Sequence, residues 1–205
     1  MPNTADLSYA FASSGTLQKL DVGALDTTGV DRIAQTFAMD HNWVEIDGLE
    51  NWDVSKVTDM RNTFDDDPKL TSEALVGLTN WKTDSLQDLG SAFIGTGITN
   101  LDALRNWKTS NLTSLGVAFW AAYNLSDISG VENWDVSKVT NFTSTFLSDY
   151  KIQCLVNLSN WEIQDNAHTD NMFNPSWVAT PLMVIVKSGA QNINRGTDVF
   201  GKDNA

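Results

Sequence analysis

Cysteine is almost absent from this chain. Cys154 stands alone among 205 residues, so no intramolecular disulfide can form, which suits a reducing cytosol and equally a bacterial surface that does without disulfides. Proline (4) and glycine (13) are too scarce for a low-complexity or collagen-like chain. Basic residues are outnumbered, 13 Lys and Arg against 26 Asp and Glu, for a net charge of −13. Such a surface repels phosphate backbones and anionic headgroups, so neither nucleic acid nor a membrane surface is an expected partner. No apolar run approaches the ~18 residues of a membrane span. The opening MPNTADLSY lacks the charged and apolar regions of a signal peptide. The chain reads as a monomeric piece of a longer protein whose address signals would lie elsewhere.

Catalytic signatures are missing too. The two histidines, His41 and His168, share no metal-ligand spacing. Cys154, in KIQCLVN, carries no nucleophile signature, and no G-x-S-x-G, P-loop or G-x-G-x-x-G occurs. The expectation is a non-enzyme without cofactor or metal.

What is present is aromatic and repetitive. The nonapeptide ENWDVSKVT occurs at 50–58 and again at 132–140. It is the best-kept part of a unit seen about seven times, anchored by Phe11, Phe37, Phe64, Phe93, Phe119, Phe146 and Phe173 at intervals of 26–29 residues. Twelve residues before five of these stand Trp52, Trp81, Trp107, Trp134 and Trp161. Their column position predicts burial, as it does for Trp43. Apolar residues at i, i+3 and i+7 in VTDMRNTF, with Ser55 just ahead as cap, predict a short helix. Leu49, Trp52 and Val54 predict a short strand with those side chains inward.

L-x-x-W-x-V has the shape of the leucine-rich-repeat strand, and NWDVSKVTDMRNTF resembles the repeats of BspA-like leucine-rich-repeat surface proteins. The likeness covers about residues 4–173, although Lys82 and Lys108 replace the Asp that follows Trp and the unit around Leu25 lacks its Trp. The resemblance and the pattern together predict an α/β fold: a leucine-rich-repeat-like solenoid over 1–173, one short strand and one short helix per unit, closed by a C-terminal cap over 174–205 in the same domain. TPLMVIVKSGAQ is expected to supply a terminal strand there. The resemblance further implies a bacterial cell-surface, cell-wall-associated protein in adhesion, binding a host or extracellular-matrix protein, mucus or a glycan. A stalk that only projects another domain is the rival expectation.

Two outward stripes are candidate ligand-binding faces. The residue after each Trp should point away from the core, giving Asp53, Lys82, Lys108, Asp135 and Glu162. This row reads either as a charge ladder between units, worth little when exposed, or as a recognition stripe. Four residues after Phe stand Tyr123, Tyr150 and Trp177, which either tuck back onto the rod or form an exposed edge that stacks on glycans or anchors a protein. The Asn column, Asn51, Asn80, Asn106, Asn133 and Asn160, is read first as an amide ladder between units and second as a ligand-facing row. DDDP at 65–68 is read as a solvated turn, since its spacing is not that of a calcium loop.

Overall fold

The phenylalanines that recur along the sequence lie on top of one another in the fold. In the computed structural model, which describes residues 5–152, 155–173 and 183–186, the rings of Phe11, Phe37, Phe64, Phe93, Phe119, Phe146 and Phe173 stack in one column. Neighbouring centroids are 5.1–5.5 Å apart. Trp52, Trp81, Trp107 and Trp134 form a second column at 6.0–6.2 Å. All the repeat Trp, and Trp43, are buried. Each unit is thus one tier, and the two aromatic columns run through a single apolar core. No unit could bury its apolar face alone, so stability comes from tier-on-tier contact.

Tryptophan at this position has a second use. Each indole Nε1–H reaches back one tier to a backbone carbonyl. Trp52 donates to Val22 O at 3.3 Å, Trp81 to Leu49 O at 2.7 Å, Trp107 to Leu78 O at 3.0 Å, Trp134 to Leu104 O at 3.1 Å and Trp161 to Val131 O at 2.9 Å. A leucine would leave part of the volume empty and those carbonyls without this donor.

The expected α/β leucine-rich-repeat-like solenoid is not what the chain forms. Among the described residues there is no α-helix; the helical segments are four short 3-10 turns, Leu49–Asn51, Val76–Asn80, Asp102–Leu104 and Ser129–Val131. Nor does a sheet run through the tiers. The strands are β1 (Ala5–Asp6), β2 (Lys19–Asp21), β3 (Val30–Arg32), β4 (Glu45–Asp47), β5 (Leu155–Leu158) and β6 (Met183–Val186). They pair in parallel as three separate two-stranded sheets, β1–β3, β2–β4 and β5–β6. The remaining tiers are linked by isolated parallel bridges, as along Arg32, Asp59, Asp88, Ser114, Asn141 and His168. The expected terminal strand is present as β6, in register with β5; the rest of 174–205 lies outside the described residues.

The backbone hydrogen bonds show why the helix does not form. In VTDMRNTF and the two aspartates after it, the N–H groups of Met60, Asn62, Phe64 and Asp66 donate to Asp88, Gly90, Ala92 and Ile94 of the next tier. The intervening N–H groups of Thr63 and Asp65 close turns onto Met60 and Asn62, three residues back. A helix would need all of these donors within the segment. A run of turns also brings i and i+3 to one side, so Val57, Met60 and Phe64 are buried as expected while the bonding differs. The L-x-x-W half is likewise a turn: Trp52 N donates to Leu49 O, and Trp52 then leaves in an extended conformation. The inward alternation of Trp52 and Val54 holds without a strand.

This turn run carries a column of non-glycine residues at positive φ, two residues before each Phe: Tyr9, Gln35, Asn62, Ser91, Val117, Ser144 and Asn171, at 54–63°. Asn tolerates the left-handed region; a β-branched side chain does not. Val117, at φ 61° and only partly buried, is the misfit of the column. Val117→Asn is expected to raise stability by about 1 kcal/mol, read as a higher urea midpoint with unchanged slope. Glycine is required where tiers touch by backbone: a Cβ on Gly48, at φ 87°, would lie 2.2 Å from Gly23 Cα.

Candidate functional site

The residues that follow the stacked Trp form one exposed row, Asp53, Lys82, Lys108, Asp135 and Glu162. No ion pair joins Asp53, Lys82, Lys108 and Asp135; Lys82 acts on Asp53 only as a minor contribution to its lowered carboxyl. The two aspartates are engaged locally instead. Asp53 Oδ1 accepts the N–H of Ser55 at 3.0 Å, and Asp135 Oδ1 accepts both the N–H and the hydroxyl of Ser137 at 3.0 and 2.6 Å. These are Asx turns, and the bonds from Ser55 and Ser137 hold both carboxyls below the usual Asp range. The cap expected from Ser55 is therefore supplied by Asp53, with the serine as donor. Much of the chain's acidity serves this way: Asp6, Asp21, Asp26, Asp59, Asp88 and Asp127 each accept the N–H two residues on.

Lys82 and Lys108 occupy that turn position in two adjacent tiers and cannot make the turn bond. Their ammonium groups make no side-chain hydrogen bond or ion pair among the described residues. They are two exposed cations on adjacent tiers of an acidic protein, and Lys82 lines a shallow hollow with Asn51, Asp53 and Asn80. The Asn column borders this row and is exposed along its length. Asn160 Nδ2 donates to Asn133 Oδ1 at 2.8 Å, but no amide bond of this kind links Asn51, Asn80 and Asn106. The amide ladder is thus realised at one step.

Tyr123 and Tyr150 do not tuck back. Their rings stack at 6.4 Å with an interplanar angle of 15° and are 58% and 41% exposed. Trp120, three residues before Tyr123, is 41% exposed. The Trp column, and the Phe column from Phe37 onward, are buried; this one stands outside. Trp177 and Cys154 lie outside the described residues. The structure therefore assembles two separate candidate rows, the charged one after Trp and the aromatic one after Phe.

One column escaped the sequence reading. Three residues after Phe stand Asp40, Asp67 and Asp149, all buried. Asp67 Oδ1 accepts the N–H groups of Asp40 and His41 at 3.0 and 3.3 Å, one tier back. Asp67 Oδ2 and Asp40 Oδ2 have no hydrogen-bond partner, and Asp149 has only the backbone of Ala122 facing it, outside full hydrogen-bond geometry. Burial pushes the carboxyls of Asp67 and Asp149 up to about 8 and about 9, so both are protonated at neutral pH. DDDP is accordingly no solvated turn: Asp66 is exposed, Asp65 is partly buried and Asp67 is fully buried. The recurrence of Asp three residues after Phe was the available signal. Among the described residues no group of three or more His, Cys, Asp and Glu side chains could hold a metal ion, and no helix is long and apolar enough to cross a membrane.

A family model described as "Mycoplasma protein of unknown function, DUF285" matches residues 5–100 and again 88–182. No curated protein and no solved structure matches the chain.

Proposed function

We propose, from the premise that this chain belongs to the DUF285 family, that it is a non-enzymatic module of a bacterial cell-surface protein. It mediates adhesion by holding a host, matrix, mucus or glycan ligand on a rigid outer face. The resemblance of NWDVSKVTDMRNTF to BspA-like surface repeats supports the location and the adhesive role; the matched family's description assigns no function. The observation that carries the reading is the Tyr123–Tyr150 pair. A folding unit that buries aromatics in every tier presents two stacked rings to solvent, where they bring contact area at little entropic cost. Lys82 and Lys108 add a second departure from the repeat, in the row where aspartate makes a structural turn.

The stalk reading is favoured by a different observation, the unbroken Phe column, which would serve a spacer equally well. The two are separated by displaying the protein multivalently against mucin, collagen and a glycan array. Alongside the wild type stand Tyr123→Ala/Tyr150→Ala and Lys82→Glu/Lys108→Glu. Both changes fall on exposed side chains and should leave stability within about 0.5 kcal/mol. Adhesion predicts that one variant loses at least about tenfold in binding. No binding by the wild type favours the stalk, and equal binding by all three would remove the ligand from both rows.

A further inference from the structure

The first three tiers enclose a groove of about 370 Å³ away from both rows described above, lined by Asp6, Tyr9, Arg32, Gln35, Arg61 and Asn62 among others. Its walls are fixed before any ligand arrives. Tyr9, Gln35 and Asn62 belong to the positive-φ column, so their side chains leave successive tiers at equivalent points. Tyr9 N and Gln35 N are bonded across tiers to Ala34 O and Arg61 O. Gln35 Nε2 donates to the Tyr9 hydroxyl at 3.0 Å, tethering a ring that is 59% exposed. Asp59, whose side chain is only 13% exposed, holds two guanidinium groups at once. It accepts Arg32 Nη2 at 2.8 Å, and Arg61 Nε and Nη2 at 3.0 and 2.8 Å.

The groups left over have a definite chemistry. Among the described residues Arg32 Nε and Nη1 and Arg61 Nη1 are donors without a partner, while Gln35 Oε1 and Asn62 Oδ1 are acceptors without one. Donors and acceptors converge beside one aromatic ring. An anion would use only the donors. It would also meet Asp6 in the lining and guanidiniums whose charge is already offset, both by Asp59 and that of Arg61 also by Asp88, 3.7 Å from Arg61 Nε. Vicinal hydroxyls both donate and accept, and the C–H face of a sugar ring packs on an aromatic one. We infer that this groove is a binding site for a neutral pyranose unit, with Tyr9 as the stacking platform and Arg32, Gln35, Arg61 and Asn62 reading its hydroxyls. The inference goes beyond the adhesive reading and stands on different residues.

Saturation-transfer and chemical-shift NMR of the whole chain with glucose, galactose, mannose and N-acetylglucosamine, and with glucuronate as the charged comparator, tests it. The expected result is that at least one neutral sugar receives saturation and shifts the Tyr9, Gln35 and Arg61 resonances. Tyr9→Leu and Gln35→Ala should each weaken that binding about tenfold, whereas Lys138→Gln, on an exposed side chain of a distant tier, leaves it unchanged. If Tyr9→Leu disturbs the first tier, the shift map of the wild type and the Gln35→Ala titration decide. Shifts confined to other residues, tighter binding of glucuronate, or no response to any neutral sugar would overturn the assignment, and none of these touches the Tyr123–Tyr150 reading.

Discussion

Trp107→Ala is expected to lower the unfolding free energy by about 3–5 kcal/mol, a large part of the stability of a domain this size. The side chain is 4% exposed, stacks on Trp81 at 6.0 Å and on Trp134 at 6.2 Å, and donates to Leu78 O at 3.0 Å. Its removal opens a cavity in the middle of a column, where tiers on both sides lose contact. Trp107→Phe isolates the indole bond: a ring remains in the column but the donor is gone. Leu78 O still accepts the N–H of Trp81, so the carbonyl is not orphaned and the loss should be about 1–2 kcal/mol. Urea unfolding reads both, as lower midpoints with an unchanged slope. A neutral Trp107→Phe would mean that volume alone selects tryptophan there.

The second large effect is on pH. Asp67 and Asp149 are raised by burial to about 8 and about 9, from an ordinary value of 3.8. Below that ordinary value both the folded and the unfolded chain hold these protons. Between it and the folded values the unfolded chain releases them and the folded chain does not, so stability falls as pH rises, by up to about 1.4 kcal/mol per pH unit for each group. The loss is complete only above about pH 9. Asp53 and Asp135 act in the opposite sense, but only in acid, because their folded values lie below the ordinary one. The melting temperature is therefore expected to be highest near about pH 4 and to decline through neutrality into base. Asp149→Asn removes one ionisation and should flatten the decline, with its largest advantage over the wild type near about pH 9. A profile that rises between these limits would contradict the buried, protonated state of these carboxyls.

Much of this architecture was legible in the residues because repetition multiplies weak signals. One Trp at position 52 says little; five at equivalent positions identify a buried column, and the structure stacks four of them. Burial of Val57, Met60 and Phe64 was equally readable. The bonding beneath that pattern was not, because turns and helices both return every third or fourth residue to the same side. The deciding fact is where Met60 N–H and Phe64 N–H go, to Asp88 and Ala92 a full unit away, and no local pattern encodes a partner that distant. Asp149 was missed for another reason. An aspartate three residues past a tier's buried Phe reads as solvated by default, and only the packing around it shows otherwise. Tyr123 and Tyr150 were found by the same even spacing, four residues after Phe, whereas Lys82 and Lys108 were found because they break the repeat.

The central claim is that what repeats in this protein holds the tiers together and what departs from the repeat does the binding. Parallel melting and multivalent mucin and glycan-array binding of Trp107→Phe and of Tyr123→Ala/Tyr150→Ala test it most directly. The claim predicts that Trp107→Phe melts lower yet binds as the wild type does, whereas the tyrosine variant melts as the wild type does and binds at least about tenfold more weakly. A tyrosine variant that binds normally, or a loss of binding that follows melting temperature in both variants, would contradict it.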